Sequence, residues 1–417
     1  MLALLGGCDL FGTTATTTTD RRAPEPRPPT VAFDPGPPSD PEVSGEVPFV
    51  GEQGFDSLGR PLQHPDATML TAMLRARRFD DLDAAMLAYQ EAFEDDPRKE
   101  SWPKAAIQAF EIGVPEFGPL LDAWVLAKPE SFGARAARGA WHTGMGWATL
   151  GIDLYGTNSD ERLDAVEREY RAGLPDLDTA IALRPRLLAA IDTKLDTQGL
   201  LGRPVAQRRA TYEQGLAVCP TCWTIRESWV LGLAPERGGS YEEMRAAAKS
   251  AEPHIEANPA LALLPSLIVS SLCASLQRDY GPEATLSTCA RAIEGGVEPR
   301  ASCGYGEVLA QAGRLSDALP QFAAGLRVDP QWRSCLVGRQ AVLQKKGRVE
   351  EAANDLLIAR RLAPHNRDIE LDIESVLRSL QRDAREANAG GDGAKEKRLL
   401  DLTHALSPKA GGDKPPA

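Results

Sequence analysis

Near the C-terminus the pattern of apolar and polar positions repeats itself at a fixed offset. Residues 299–332 and 333–366 align with a shift of 34: Gly313 on Gly347, Arg314 on Arg348, Ala318 on Ala352, Phe322 on Leu356 and Pro330 on Pro364. A period of this length marks one helix–turn–helix unit, and such units stack into a solenoid because a single one cannot bury its own apolar face.

The same unit can be traced backwards through prolines, which stop a helix and cannot continue it. Candidate unit ends are Pro97, Pro129, Pro185, Pro220, Pro259, Pro299, Pro330 and Pro364, spaced 32, 56, 35, 39, 40, 31 and 34 apart. All but one interval suit a single helical hairpin. The long one predicts two longer helices, about 131–151 with Ser131 as N-cap and about 160–183, joined by a turn over 151–159. Counting back from Pro97 puts Ala85, Tyr89 and Ala92 where Ala318, Phe322 and Gly325 fall later. Small residues at the outer two places let helices approach, and the aromatic fills the gap between them. A helix over about 367–388, rich in Asp, Glu and Arg, fits a polar terminal cap.

These motifs resemble the tetratricopeptide repeat, clearly over 299–366, fairly over 66–97 and in degenerate form between. Gly306 matches the first-helix glycine of that family, and Gln340 replaces it in the next unit. The resemblance implies an all-α fold, an α-solenoid of stacked hairpins. A second resemblance covers about 66–260. Leu82-Asp83, Tyr89-Gln90, Phe93-Glu94, Leu121-Asp122-Ala123-Trp124-Val125, Ala137-Arg138-Gly139, Gly146-Trp147 and Gly238-Gly239-Ser240 look like a bacterial helical-repeat family that carries a domain of unknown function. Its members usually show Pro-Arg-Trp-Gly-Gly-Ser, whereas here Pro235-Glu236-Arg237-Gly238-Gly239-Ser240 stands and the tryptophan is lost. That family brings an expectation about fold and none about activity.

The N-terminus reads differently. Leu5-Gly6-Gly7-Cys8 resembles the end of a bacterial lipoprotein signal, with Cys8 as the lipidated residue. The basic start and full apolar stretch of such a signal are missing, which suggests a start codon upstream. The alternative is an apolar start with an unmodified cysteine. Six threonines over 13–19 and eleven prolines from Pro24 to Pro65 follow. A segment so poor in apolar residues cannot fold, and proline pre-extends it into a tether that could reach on the order of 150 Å. The expected organisation is therefore a truncated signal at 1–8, a disordered linker at 9–65, a degenerate helical-repeat domain at 66–260, tetratricopeptide-like repeats with a capping helix at 261–388, and a mobile tail at 389–417.

Net charge is -12, a surface that repels nucleic acid and anionic lipid headgroups, so membrane contact is expected through a lipid anchor only. No run of 18 apolar residues suggests a transmembrane helix. Asp9 after Cys8 resembles an inner-membrane retention signal, which puts the inner membrane ahead of the outer.

Candidate chemistry is sparse. Cys219-Pro220-Thr221-Cys222 could be a redox pair or half a zinc site, yet it lies in a turn between helices, without a βαβ setting or a second close pair. A local disulfide or two partly buried thiols at a helix end is the simpler reading. Six cysteines besides Cys8 permit bridges outside the cytoplasm without specifying them. Ser240-Tyr241-Glu242-Glu243 could open an anion site, but its glutamates sit where the anion would bind, and a capping box is the favoured reading. The best candidate is one face of the 131–151 helix. Arg135, Arg138 and His142 follow at steps of 3 and 4, with Trp141 and Trp147 beside them and Trp102 and Trp124 nearby. Arginine with tryptophan suits an acidic peptide or a glycan. The alternative makes the tryptophans core and the arginines partners of neighbouring carboxylates. The five histidines are scattered; no catalytic triad, metal pair or phosphate loop is evident, and no cofactor, metal or enzymatic activity is expected.

These features suggest a membrane-tethered, lipid-anchored protein on the periplasmic side of a bacterial cell envelope. It would bind a protein or peptide on a concave surface lined by the first helix of each unit. Two alternatives stand beside it: an envelope enzyme acting on glycans through acidic residues near the Arg/Trp groove, and a cytosolic repeat scaffold.

Overall fold

A computed structural model describes residues 47–150, 159–364 and 366–407, all within one unit, Gly36–Ala417. Cys8, most of the Thr/Pro segment and the turn after residue 150 lie outside the described residues.

Among the described residues, eighteen α-helices run as nine consecutive pairs, and in every pair but α3/α4 the two helices pack closely on each other. They are α1/α2 (Ala67–Arg75, Phe79–Asp95), α3/α4 (Ser101–Gln108, Phe117–Ala127) and α5/α6 (Phe132–Leu150, Asp160–Leu183). Next come α7/α8 (Leu188–Leu200, Val205–Val218), α9/α10 (Trp223–Gly232, Tyr241–Lys249) and α11/α12 (Leu264–Tyr280, Pro282–Arg291). The last are α13/α14 (Pro299–Gln311, Leu315–Val328), α15/α16 (Arg333–Lys345, Val349–Leu362) and α17/α18 (Arg367–Ala389, Gly393–Leu406). Every one of the eight prolines follows the second helix of a pair. The long interval holds the two long helices expected there, and Ser131 Oγ accepts the Ala134 N–H at 3.0 Å as its cap.

The repeating residues explain the repeating geometry. Gly313 and Gly347 have φ of +75° and +74°, the left-handed conformation that closes a helix. Just beyond them, Arg314 and Arg348 donate back to the carbonyls of Leu309 (2.8 Å) and Leu343 (2.9 Å). Arg77 does the same work in the first hairpin at φ +53°, with Arg78 N donating to Met73 O at 2.9 Å. Ala318, Phe322, Ala352 and Leu356 are fully buried. Phe322 fills the space between α13 and α15: a Cβ on Gly306 would stand 3.0 Å from its ring, and one on Gly338 only 2.5 Å. The small–aromatic–small pattern thus packs as expected, and the fold is an all-α solenoid of tetratricopeptide-like hairpins.

Three disulfides complete the packing. Cys219–Cys222 closes the turn between α8 and α9, Cys273–Cys289 joins α11 to α12, and Cys303–Cys335 joins α13 to α15. A Cβ on Gly325 would stand 2.8 Å from both Sγ atoms of the last pair, so that bridge needs the glycine.

Two expectations need correction. The linker was expected to run to residue 65, but Phe49–Phe55 (β1) and Pro61–Pro65 (β2) form an antiparallel pair. The proline count concealed what holds it. Phe49 packs edge-on against Tyr89 and Trp102, with ring centroids 5.2 and 4.6 Å away. Tyr89 OH donates to Pro48 O at 2.5 Å, and Trp102 Nε1 donates to Gln63 O at 2.7 Å. The tail was expected to be mobile from 389, but α18 covers α17. Leu399 and Leu406 are buried, Asp392 caps the helix at Lys395 N, and Arg360 Nη1 donates to Leu406 O at 2.8 Å. Here the leucines outweigh a Gly- and Lys-rich composition.

One helical stretch among the described residues, Pro259–Tyr280, is long and apolar enough to cross a membrane by length and composition, against the expectation of none. In this fold it contributes α11, an inner helix in contact with α9, α10, α12 and α13, with Leu264 and Leu267 fully buried.

Candidate functional site

The inner helices of the solenoid are the odd-numbered ones, each touching the next. Seven in succession, α3 to α15, line one cavity of about 820 Å³. Helix α3 contributes Lys104 and Gln108; Glu111 lies just beyond its end. Thr143 and Trp147 come from α5, Asp192 and Asp196 from α7, Glu227 from α9 and Arg278 from α11. Arg300 and Glu307 come from α13, Ser334 from α15, and Trp332 caps α15. Lys104 and Gln108, Thr143 and Trp147, and Asp192 and Asp196 each stand four apart, the spacing of one helical face.

Most of these charges are paired. Lys104 Nζ lies 3.2 Å from Asp192 Oδ2 and 3.5 Å from Glu227 Oε2. Arg237 Nη1 is 2.5 Å from Asp196 Oδ1, and Arg278 Nη2 is 3.1 Å from Glu236 Oε1. The Arg300 guanidinium lies 5.5 Å from the centre of the Trp332 ring. Burial opposes the charge on Lys104, but Asp192 and Glu227 hold its pKa above the usual lysine range.

The Glu111 and Glu307 carboxylates make no hydrogen bond or close ion pair among the described residues, although the charges of Lys104 and Arg333 act on Glu111. Burial, reinforced by the charge of Asp196, pushes Glu111 up to about 8. Burial alone pushes Glu307 up to about 7. Asp192 is also raised by burial, and its Oδ1 finds no hydrogen-bond donor although the residue is only 4 % exposed.

Two further buried glutamates do structural work at the rim. Glu100 accepts from Trp223 N (2.8 Å) and Thr224 N (2.7 Å), capping α9 from the turn before α3, well over a hundred residues earlier. Glu298 accepts from Arg300 N (3.1 Å) and Ala301 N (2.7 Å), capping α13. Burial raises both to about 7. Together with Lys104 and Trp332 they also line a smaller cavity of about 170 Å³ beneath the β1–β2 hairpin.

The Arg/Trp face divides. Arg138 Nε and Nη2 meet the Asp176 carboxylate at 2.6 and 2.8 Å, and its Nη1 meets Asp122 at 2.7 Å. Arg135 Nη1 reaches Asp176 at 3.1 Å. His142 Nδ1 lies 2.9 Å from Glu169 Oε2. Trp141 lies against Gly118 and donates to Val114 O at 2.9 Å. Of the five residues, only Trp147 lines the large cavity. Trp124 is fully buried, with its Nε1 on Asp83 at 3.0 Å. Sequence reasoning passed over Lys104, Glu111, Asp192, Asp196, Glu227 and Trp332. Their signal was a polar stripe at steps of 3 and 4 on each first helix.

The two sharper motifs resolve as structure. Cys219 and Cys222, 4 % and 1 % exposed, form the local disulfide. Ser240 Oγ accepts from Glu243 N at 3.2 Å, and its hydroxyl lies 3.0 Å from the Glu243 carboxylate, so the capping box forms with the hydroxyl rather than the backbone as the return donor. No group of three or more His, Cys, Asp or Glu among the described residues has a metal-binding arrangement.

No protein-family model matches the chain, and no curated protein matches it in sequence. Solved structures similar to it include YrrB, described as a tetratricopeptide-repeat protein with an unusual peptide-binding site, at 19 % identity. The match covers 48 % of this chain and 97 % of that one, with a TM-score of 0.26. The P58(IPK) tetratricopeptide domain matches at 13 % identity over 76 % of this chain and 97 % of its own, TM-score 0.29. Yeast Tom70 matches at 11 % identity over 81 % and 94 %, TM-score 0.26. At these values the likeness carries no argument, and the repeat assignment rests on the packing described above.

Proposed function

We propose that this chain is a membrane-tethered, extracytoplasmic solenoid that holds a segment of a partner polypeptide in the cavity formed by its first helices. One observation carries this reading: seven successive inner helices contribute polar or aromatic side chains to one space of about 820 Å³. That lies within the range of ligand sites, about 300–1,000 Å³, and accommodates an extended segment rather than a folded domain. The six cysteines other than Cys8 form three disulfides, which supports an oxidising compartment. Anchoring through Cys8 on the periplasmic face of a bacterial envelope, at the inner membrane ahead of the outer, rests on the lipobox-like Leu5-Gly6-Gly7-Cys8 and the Thr/Pro tether behind it. Arg135, Arg138, Trp141 and His142 form a separate outer candidate surface, where partner contact would have to compete with Asp176, Asp122 and Glu169.

Two variants test the two halves. In its native cells the protein is expected in the membrane fraction, and Cys8→Ser is expected to release it; equal fractionation contradicts the anchor. Trp332→Ala is expected to weaken partner retention at unchanged helix content, and wild-type retention contradicts the cavity reading.

One observation favours a second reading, an enzyme acting on envelope glycans. Glu111, held protonated to about pH 8, shares a cavity with Trp147 and with the paired carboxylate of Asp196, an arrangement that could supply a general acid. Hydrolysis of cell-wall glycan by the wild type and not by Glu111→Gln would establish it.

A further inference from the structure

We propose that the cavity is built to receive a cationic side chain, a lysine or arginine carried on the extended partner segment. The inference rests on the reading of the cavity as a partner site and names the chemistry that site selects.

The charges of the lining do not balance. Six carboxylates of the lining face five cations: Lys104, Arg237, Arg278 and Arg300 in the lining itself, and Arg333, whose charge acts on Glu111. The four lining cations are engaged as described, and the two carboxylates left over are Glu111 and Glu307. They lie on separate inner elements, after α3 and in α13, so no local helix feature produces the excess. A third acceptor points the same way: Asp192, ion-paired with Lys104 through Oδ2 and within the influence of the Ser228 hydroxyl, keeps its buried Oδ1 without a hydrogen bond at the cavity wall. A buried polar atom left unpaired costs about 1–3 kcal/mol, which applies to Asp192 Oδ1, while the half-buried Glu111 and Glu307 face the cavity. An ammonium or guanidinium group supplies three to five donors and the missing charge. The Trp147 and Trp332 rings offer faces on which its alkyl stem or charge can rest.

The same lining argues against the opposite ligand. A carboxylate placed in this cavity would meet Glu307, Asp192 and Asp196.

Protonation is tied to occupancy. Glu111 faces the charges of Asp196, Asp192, Lys104 and Arg333, and the first two keep it protonated together with burial. Glu307 is raised by burial alone. Seating a cation lowers both, so binding below about pH 8 releases protons and strengthens as the pH rises toward 8.

The test uses the full chain and short peptides blocked at both ends, identical except for a central Lys, Gln or Glu, with binding followed by fluorescence anisotropy. The Lys peptide is expected to bind at least about tenfold more tightly than the Gln peptide above pH 8, and the preference is expected to shrink below pH 6. The pair Glu111→Gln with Glu307→Gln is expected to remove the preference for Lys over Gln. That control separates the cavity from general attraction to an acidic surface. Equal binding of Lys, Gln and Glu peptides, or a preference that survives the double variant, overturns the proposal. Spermidine competing at least as well as the Lys peptide overturns the assignment to a polypeptide. Should the Gln peptide bind and be lost in Trp332→Ala while no cationic preference exists, this inference fails and the partner site stands. Binding of none of the peptides contradicts both.

Discussion

His64 and Val328 are 264 residues apart in sequence, and the His64 Nε2 atom lies 2.6 Å from the Val328 carbonyl oxygen. Gln331 secures the same junction from the other side. Its Oε1 accepts from Ala67 N at 2.9 Å and its Nε2 donates to Pro65 O at 2.7 Å. The β1–β2 hairpin and α1 are thereby held against α14 and the turn after it, at the margin of the inner cavities. Gln331→Ala removes two hydrogen bonds and leaves half-buried backbone groups unpaired. A loss of about 1–3 kcal/mol is expected by urea unfolding, with faster amide exchange at Ala67.

Ala318 and Ala352 sit where two helices cross with no space to spare, both fully buried. Enlarging either to Phe overpacks its hairpin at a cost of about 1–3 kcal/mol. Thermal unfolding of each variant checks this, and unchanged stability in both would mean that the repeat register is wrong.

Arg77 occupies the left-handed position that glycine fills in the later hairpins. Such a conformation costs a non-glycine residue about 1–2 kcal/mol, and glycine gives back roughly half of that in unfolded-chain entropy. Arg77→Gly is therefore expected to stabilise the protein by about 0.5–1 kcal/mol in chemical denaturation, whereas Gly347→Arg is expected to destabilise it by a similar amount.

Much of the fold was legible because its determinants are local and periodic. Gly313 and Gly347, Ala318 and Ala352, and the unit-ending prolines each act within one hairpin, so their spacing survives in the sequence. The β1–β2 pair was not legible, since it depends on Phe49 meeting Tyr89 and Trp102 and on Gln331 reaching back across the chain. The cavity was hidden for the same reason. Lys104, Asp192 and Glu227 come from three hairpins and become neighbours only when the helices stack. The Arg135/Arg138 face stood out because its residues are close in sequence, and that closeness is also what lets a single carboxylate, Asp176, engage both.

Carboxylates raised by desolvation give the stability a pH dependence of definite sign. Glu111 is held at about 8 and Glu298 and Glu307 at about 7, against 4.5 for an unperturbed glutamate. Between those values the unfolded chain binds fewer protons than the folded one, so stability falls as the pH rises from about 4.5 to 8 and levels off beyond. Glu94 and Asp96 are shifted downward and act only on the acid side of this window. The melting temperature of the unliganded protein is expected to be lower at pH 8 than at pH 5.5 by about 2 °C or more, and Glu111→Gln is expected to flatten the slope.

The most direct test of the central claim places a photo-cross-linking residue at Glu307, inside the cavity, or at Leu126, which is 84 % exposed on the outer helix α4. Irradiation of the tethered protein in its native membranes, followed by mass spectrometry of the adducts, identifies the segment each position touches. The cavity account predicts one polypeptide cross-linked at 307 and not at 126, with the adducted stretch containing Lys or Arg. Adducts of equal yield and identity at both positions, or none at 307, would contradict it.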